Sequence, residues 1–222
     1  KRNSTFELEN TRTLKKKLLI LSAVNIEPKS SAAGSRMLQL IELFEEMNCE
    51  IHYATTATKS DFSSIISTIS YHTISLNDAS FDLFITNLNP NIVLFDRFML
   101  EEQFGSKVTH NCPNALKILD TEDLHSLRQV RQNCIKTNTE FSIDIWKNED
   151  YTKREIASIY RCDLSLIISE FEFNWLINHF NIPKSILIYI PLFADKIIKA
   201  PCFSERNDFV FIGNFLHEPN WD

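Results

Sequence analysis

The stretch Leu18-Leu19-Ile20-Leu21-Ser22-Ala23-Val24 decides the fold class of this chain. It is almost continuously apolar, and such a run is typical of a parallel strand that helices cover on both faces. A loop over residues 25–33 and then Gly34 follow it, and the next residues carry one apolar stripe with helical spacing. The stripe consists of Met37, Leu40, Ile41, Phe44 and Met47. A buried strand, a loop and an amphipathic helix in this order predict an α/β fold.

The same pattern repeats along the rest of the chain. Further strands are predicted at residues 50–55, 71–75, 92–96, 115–119, 164–169 and 186–190. Helices are predicted at residues 78–88, 101–110, 124–161 and 170–180, and residues 60–69 are predicted as a helix or a helical loop. Within 124–161, residues 133–150 are the least periodic part and a candidate for mobility. Strands that alternate with helices predict a Rossmann-like parallel sheet with helices on both faces.

The composition is that of a globular protein. Of the 222 residues, 44% are hydrophobic and 23% are charged, and the net charge of −6 argues against a nucleic-acid partner. The five cysteines are scattered, which favours a reducing compartment and predicts no metal site. No apolar run approaches the ~20 residues of a membrane span. We expect a cytoplasmic protein whose membrane contact is at most peripheral, at the inner face.

Three segments are expected along the chain. Residues 1–17 are a polar extension, residues 18–200 form the sheet domain, and residues 201–222 hold a linker and the truncated start of a second domain. In this last segment the apolar run at residues 209–212 predicts a strand, Gly213-Asn214 comes directly after it, and a helix start follows. A strand, a glycine turn and a helix start are typical of a loop that binds phosphate groups.

The first candidate site follows the first strand, because ligands of open parallel sheets bind beyond the carboxyl ends of the strands. The loop there leads to Gly34, Ser35 and Arg36. A small residue lets the backbone approach a ligand, and Arg36 can reach a phosphate group or a sugar hydroxyl. A tight connection with Ser35 as the helix N-cap explains the same residues, and both interpretations stay open.

The second candidate site follows the fifth strand. Asp120, Asp123, His125 and Arg128 lie within one loop and the first turn of a helix. Carboxylates and an imidazole at this density can act as a general base or bind sugar hydroxyls, with Arg128 as a further substrate-binding residue. The structural alternative is that Asp120 or Thr121 caps the helix, but capping accounts for only one or two of these residues. A functional site is the favoured interpretation.

Three smaller signals remain. Asp96 and Arg97 end the fourth strand, where they either bind substrate in the same cleft or form a surface ion pair. Ser169 and Glu170 after the sixth strand are explained as a helix N-cap and a first-turn acid. Gly105 is expected in a surface turn.

The motifs of several enzyme classes are absent from the sequence. The chain contains no G-x-G-x-x-G, no G-x-x-x-x-G-K-[ST], no H-E-x-x-H and no G-x-S-x-G. Their absence disfavours a dehydrogenase, a P-loop NTPase, a zinc peptidase and an α/β-hydrolase. No set of metal ligands is recognisable, so we expect a reaction without a metal ion.

Several segments, taken in order, resemble a known family. From about residue 18 to its last residue, the chain resembles bacterial glycosyltransferases of the GT-B type, group 1 or family 4-like. The segments that carry the resemblance are Phe95-Asp96-Arg97-Phe98, Cys112-Pro113-Asn114-Ala115, Ile118-Leu119-Asp120-Thr121-Glu122-Asp123-Leu124-His125, Ile159-Tyr160-Arg161-Cys162-Asp163, Phe211-Ile212-Gly213-Asn214-Phe215 and His217-Glu218-Pro219-Asn220-Trp221-Asp222.

The resemblance implies an architecture and a reaction. Residues 18–200 would be the acceptor-side, N-terminal half of a GT-B enzyme, and the domain that binds the nucleotide sugar would begin near residue 208. Such enzymes are similar in moving a sugar from a nucleotide-sugar donor to an acceptor hydroxyl, in polysaccharide or glycoconjugate biosynthesis. The nucleotide sugar is then a co-substrate with no further cofactor, and the other partner is a glycan or a lipid-linked acceptor.

The resemblance also implies roles for residues. Asp120, Asp123 and His125 would contact or activate the acceptor, residues 34–36 would shape the phosphate side, and Gly213-Asn214 would form the donor-side loop. The second domain would pack against the strand ends, so the chain alone is expected to be inactive. Two rival functions stay open: a GT-B nucleotide-sugar 2-epimerase, which needs no acceptor, and a non-enzymatic flavodoxin-like interaction domain.

Overall fold

A parallel sheet of seven strands forms the centre of the structure, a computed structural model that describes residues 15–28, 31–58, 66–194 and 199–211. The strands are β1 (Lys16–Ser22), β2 (Cys49–Thr55), β3 (Ser70–Thr73), β4 (Ile92–Asp96), β5 (Leu116–Asp120), β6 (Leu164–Ile167) and β7 (Leu187–Tyr189). All the predicted strands up to residue 190 are confirmed in order and direction.

Helices connect these strands. They are α1 (Ala32–Glu46), α2 (Ser80–Leu88), α3 (Phe98–Asn111), α4 (His125–Lys136), α5 (Ile143–Asn148), α6 (Asp150–Arg161) and α7 (Glu170–Phe180), with short 3-10 turns at Lys184–Ile186 and Phe203–Glu205. Among the described residues, no helix is long and apolar enough to cross a membrane.

The order of the strands is β3-β2-β1-β4-β5-β6-β7, so the chain first builds outward from β1 to β3 and then returns to the other side of β1. This reversal creates a topological switch point between β1 and β4, where the connections leave the sheet in opposite directions. In the register of the sheet, Leu21 pairs with Phe95 and Asp96 pairs with Asp120. The ends of β1, β4 and β5 therefore lie side by side at one edge.

The core has one layer on each face of the sheet. In β1, Leu18 and Ile20 pack toward α1, whereas Leu19 and Leu21 belong to the cluster under the remaining helices, and all four side chains are fully buried. Burying one such side chain contributes roughly 1.5–3 kcal/mol, so a strand that is apolar on both faces is stable only in the middle of such a sandwich. The predicted Rossmann-like sheet with helices on both faces is confirmed.

Several predictions for the connecting segments are wrong or only partly tested. The predicted helix at 124–161 is three helices, and its least periodic part includes α5, whose Trp146 is fully buried. The predicted helix or helical loop at 60–69 has no helix at residues 66–69, and residues 60–65 lie outside the described ones. Residues 209–211, predicted as strand, are exposed and outside the sheet. The donor-side loop, Gly213-Asn214, lies outside the described residues.

The loop after β1 packs tightly against the first turn of α1. Ser31, not Ser35 as predicted, is the N-cap, and its Oγ accepts a hydrogen bond from the N–H of Gly34 at 3.0 Å. Ser35 lies in the first turn, where its hydroxyl donates to the carbonyl oxygen of Pro28 at 3.0 Å. A Cβ on Gly34 would lie 2.3 Å from the carbonyl oxygen of Glu27. The close approach of the preceding loop therefore requires glycine here.

Gly105 lies inside α3 and is buried, so the predicted surface turn is wrong. A Cβ at this position would lie 2.4 Å from Oε1 of Glu101, one helical turn earlier. Glu101 is itself buried and forms a two-point ion pair with Arg161 at the end of α6. Glycine at this position leaves room for the carboxylate that joins α3 to α6.

Ser169 is the N-cap of α7, as predicted, and its Oγ accepts from the N–H of Glu172 at 3.3 Å.

Replacing Gly34 with alanine is expected to lower the free energy of unfolding by about 1–3 kcal/mol, because the new methyl group meets backbone that cannot rotate away. Gly105→Ala is the matched control. There the neighbour is a rotatable carboxylate, and the gain in helix propensity of about 1 kcal/mol offsets part of the loss. Urea unfolding of both variants measures the difference. Equal stability of Gly34→Ala and the parent chain would contradict the close-approach explanation.

Candidate functional site

The switch point between β1 and β4 carries a buried carboxylate. The hydroxyl of Ser22 donates to Oδ2 of Asp96 at 2.5 Å across the two strand ends. Asp96 is only 3% exposed, and its other oxygen, Oδ1, has no hydrogen-bond partner among the described residues. Nε of Arg97 lies 3.7 Å from Oδ1. Asp96 and Arg97 thus form a largely buried pair and not the surface ion pair that the sequence left open.

Arg97 has an unusual backbone conformation for a residue with a side chain. Its φ of 73° and ψ of 156° fall in a region that essentially only glycine occupies, at a cost of about 1–3 kcal/mol. The backbone N–H donates to the carbonyl oxygen of Asp120 at 2.8 Å, and the guanidinium donates to Glu122 through Nε at 3.3 Å and Nη2 at 3.2 Å. These contacts with the next strand end hold the strained conformation in place.

Asp120 and Arg36, both predicted as site residues, lie against each other in the interior. Nε of Arg36 donates to the two carboxylate oxygens at 3.1 and 3.0 Å, and Nη2 donates to Oδ1 at 2.7 Å. The remaining nitrogen, Nη1, donates to the carbonyl oxygen of Ile190 at 3.0 Å. The two side chains are 3% and 0% exposed. Burial raises the pKa of the Asp120 carboxyl, and the hydrogen bonds from Arg36 oppose that shift.

Arg36 and Asp120 link separate parts of the fold. All three guanidinium nitrogens of Arg36 are engaged, and the pair joins α1, the end of β5 and the segment after β7. A direct contact of either side chain with a substrate would require the pair to open. Their catalytic and substrate-binding roles stay predictions.

Asp123, His125 and Arg128 form a more accessible group beside these strand ends. Nε of Arg128 lies 3.1 Å from Oδ2 of Asp123, and both side chains are partly exposed. Nδ1 of His125 lies 3.0 Å from the carbonyl oxygen of Asp123. A carbonyl oxygen only accepts hydrogen bonds, so this nitrogen carries the proton in the neutral ring and Nε2 carries the lone pair.

The electrostatics of His125 favour the neutral ring. Burial lowers its pKa, while the charge of Asp123 acts in the opposite direction and Arg128 and Arg97 lower the pKa further. Nε2 hydrogen-bonds to none of the described residues. A neutral imidazole with an unbound Nε2 is a hydrogen-bond acceptor and a possible base for a ligand hydroxyl.

Neither Asp120 nor Thr121 caps α4, so the structural alternative for this loop is wrong. The N-cap is Leu124, which has no side-chain oxygen, and Thr121 instead donates to the carbonyl oxygen of Leu166 at 2.9 Å. Two glutamates, which the sequence did not identify as site residues, accept hydrogen bonds from the backbone N–H groups at the start of this helix. Glu155 from α6 accepts from two backbone N–H groups, and Oε1 of Glu172 from α7 accepts from the N–H of Leu124 at 3.2 Å.

Three glutamates at this edge have raised pKa values. Burial raises the pKa of Glu122, Glu155 and Glu172 to about 7 in each case, against the opposing effect of the groups that donate to them. One signal in the sequence points to Glu155. It lies on the buried stripe of α6 with Thr152, Ser158 and Ile159, so a charged residue occupies a core-facing position of an amphipathic helix.

The structure therefore groups the predicted residues into three sets. Arg36 joins Asp120, Arg97 joins Asp96 and Glu122, and Asp123 joins His125 and Arg128. Gly34 and Ser35 contact Glu27, Pro28 and Ser31 instead of these carboxylates. Within the described residues there is no group of three or more side chains able to hold a metal ion.

Comparisons with known proteins show the fold. No family model and no curated protein matches the sequence. The apo form of the lipopolysaccharide outer core galactosyltransferase WaaB matches with a TM-score of 0.52 and 16% identity over 86% of this chain and 50% of its own. Sucrose-phosphate synthase from Thermosynechococcus elongatus matches with a TM-score of 0.52 and 12% identity over 80% of this chain and 48% of its own.

The chain thus spans about half the length of these two solved structures. A putative NAD-dependent epimerase/dehydratase from Methylobacillus flagellatus also matches, with a TM-score of 0.42 and 10% identity over 71% of this chain and 55% of its own. The chain has the α/β Rossmann-like fold that is also found in glycosyltransferase structures, as the sequence predicted.

Asp120→Asn is expected to lower the free energy of unfolding by about 3–5 kcal/mol, because it leaves the Arg36 charge buried without its partner. The matched control is the double variant Arg36→Met/Asp120→Leu, which removes both charges and is expected to lose much less. Urea unfolding of the chain measures both. If Asp120→Asn unfolded like the parent chain, the pair would not stabilise the fold, which would contradict this prediction.

Arg97→Gly is expected to be more stable than Arg97→Ala by about 1 kcal/mol. Both changes remove the guanidinium, so the comparison isolates the backbone, and glycine relieves a strain of about 1–3 kcal/mol while costing about 0.5–1 kcal/mol in chain entropy. Thermal and urea unfolding of the two variants give the difference. An alanine variant that is the more stable of the two would show that the φ of 73° imposes no strain.

Proposed function

We propose that this chain is the acceptor-side domain of a glycosyltransferase. The enzyme would move a sugar from a nucleotide-sugar donor to an acceptor hydroxyl in polysaccharide or glycoconjugate biosynthesis. The observation that carries the proposal is the group formed by Asp123, His125 and Arg128 beside the ends of parallel strands, where ligands of such sheets bind. The likeness in fold to WaaB and to sucrose-phosphate synthase is the second support.

The charges of the site favour a neutral, hydroxyl-rich ligand. The guanidinium groups at this edge already have carboxylate partners: Arg36 bonds Asp120, Arg97 bonds Glu122 and Arg128 bonds Asp123. A phosphate group would have to compete with these carboxylates, whereas a sugar hydroxyl both donates to a carboxylate and accepts from a guanidinium. This half of the cleft therefore suits the acceptor, and the phosphates of the donor would bind the other half.

In the proposed reaction, Nε2 of His125 accepts the proton of the acceptor hydroxyl as that oxygen bonds to the anomeric carbon of the donor sugar. The bond between this carbon and the phosphate oxygen breaks, and the nucleotide leaves with the electron pair of that bond. Asp123 keeps the proton of the ring on Nδ1 through its carbonyl oxygen, so the lone pair remains on Nε2. A positioned base of this kind contributes roughly 10²–10⁴-fold to the rate. Arg128, which is about half exposed, would orient the acceptor by donating to a hydroxyl.

Further parts of the proposal come from the resemblance in sequence. The nucleotide sugar is a co-substrate without another cofactor, the acceptor is a glycan or a lipid-linked sugar, and the enzyme works in the cytoplasm or at the inner face of the membrane. A donor-binding domain, beginning near residue 208 and including Gly213-Asn214 as its donor-side loop, would pack across the strand ends and complete the cleft.

The test uses a protein in which this chain is followed by its donor-binding half, incubated with a panel of nucleotide sugars and hydroxyl acceptors. We expect release of the nucleotide only with a donor and an acceptor together, and a decrease of kcat by about 10²–10⁴-fold in His125→Ala. His110→Ala is the control, because His110 is exposed in the last turn of α3.

The other outcomes separate the rival functions. Conversion of the nucleotide sugar without an acceptor would indicate an epimerase. Failure of every nucleotide sugar to bind would favour an interaction domain. Turnover by the 222-residue chain alone, at rates typical of complete enzymes, would contradict the two-halves arrangement.

A further inference from the structure

The first turn of α4 is held by a carboxylate from another helix. The first N–H groups of an α-helix lack partners within the helix, and the N-cap Leu124 offers no side-chain acceptor. Glu155, from the middle of α6, supplies both of its oxygens instead. Oε1 accepts from the N–H of His125 at 2.9 Å, and Oε2 accepts from the N–H of Ser126 at 3.1 Å. The carboxylate of Glu155 therefore binds the backbone of His125, which carries the imidazole, and of its neighbour Ser126.

The surroundings of Glu155 make this contact rigid. Glu155 is 1% exposed, and Ser126 is fully buried. The hydroxyl of Ser126 accepts from Nε1 of Trp146 at 2.9 Å, and Trp146 is itself fully buried. The backbone of His125 is therefore fixed from α5 and α6, and any displacement of Glu155 moves a packed part of the core.

We propose that Glu155 is a positioning residue for His125. Its carboxylate fixes the first turn of α4, and the fixed turn keeps Nδ1 of the ring on the carbonyl oxygen of Asp123, 3.0 Å away. This contact determines which ring nitrogen carries the proton. The inference extends the proposed function, because it names the residue that keeps Nε2 of His125 available as the acceptor.

Two further observations support this role. Oε1 of Glu155 lies 3.9 Å from Nδ1 of His125, so the carboxylate also favours a proton on that nitrogen. Both oxygens of Glu155 accept backbone N–H groups, which is the pattern of an ionised carboxylate. Burial acts against ionisation and raises the pKa of Glu155 to about 7. The other charged groups that act on the ring are Asp123, Arg128 and Arg97.

The experiment measures the ring directly in the 222-residue chain. Nitrogen-15 spectra of labelled histidine at pH 8, where the ring is neutral, distinguish a proton on Nδ1 from one on Nε2. The variants are Glu155→Ala, which removes both acceptor oxygens, and Glu155→Gln, which keeps one. The matched control is Glu101→Gln, which changes another buried glutamate, one that accepts from the guanidinium of Arg161 and not from the backbone of α4.

We expect the parent chain and Glu101→Gln to show His125 protonated on Nδ1. In Glu155→Ala the neutral ring should interconvert between its two tautomers, with the proton on Nδ1 or on Nε2. The amide hydrogens of His125 and Ser126 should exchange with solvent at least tenfold faster than in the parent chain. Glu155→Gln should lie between them, and it provides the measurement if the alanine variant does not fold.

An unchanged ring in folded Glu155→Ala, or in Glu155→Gln if only that variant folds, would overturn the inference, because Glu155 would then support the fold without setting the proton position. The same change of the ring in Glu101→Gln would also overturn it, since any loss of stability would then suffice. The spectra need no donor or acceptor. The assay of sugar transfer can therefore fail while this inference stands, and the inference can fail while transfer is observed.

Discussion

The buried ion pair between Arg36 and Asp120 is the contact on which the site depends. Moving two charges out of water costs several kcal/mol for each ion. Three hydrogen bonds within the pair, together with the bond from Arg36 to the carbonyl oxygen of Ile190, offset that cost. The pair places α1, the end of β5 and the segment after β7 in one fixed relation. Gly34, two residues before the arginine, allows the loop to approach closely enough for the helix to begin there.

A second constraint acts one strand away. Asp96 is bound by Ser22 from β1, and the following residue, Arg97, turns sharply in a conformation that glycine normally occupies. Contacts with Asp120 and Glu122 hold this turn, so the ends of β4 and β5 are locked to each other. The loop that begins at Asp120 therefore starts from a rigid base, which is what a site with a defined geometry requires.

At the other end of that loop, carboxylates from α6 and α7 bind the start of α4. Glu155 and Glu172 are separated from His125 by about 30 and 47 residues in the sequence, yet their oxygens satisfy three consecutive N–H groups of the helix start. The imidazole is thus held between the fixed strand ends and the fixed helix. Among the described residues, the unbound Nε2 of this ring is the part of the group best suited to meet a ligand hydroxyl.

The sequence by itself determined the fold class, because a strand buried on both faces must be apolar throughout, and runs such as Leu18–Leu21 are typical of the middle of such a sheet. It also named the loops after β1, β4 and β5 as candidate sites, and the structure places these three strand ends side by side at one edge. Only the tertiary structure decided which partner each of these residues contacts. That Asp120 meets Arg36, and that Glu155 binds the start of α4, depends on contacts between distant segments, and no local pattern encodes such contacts.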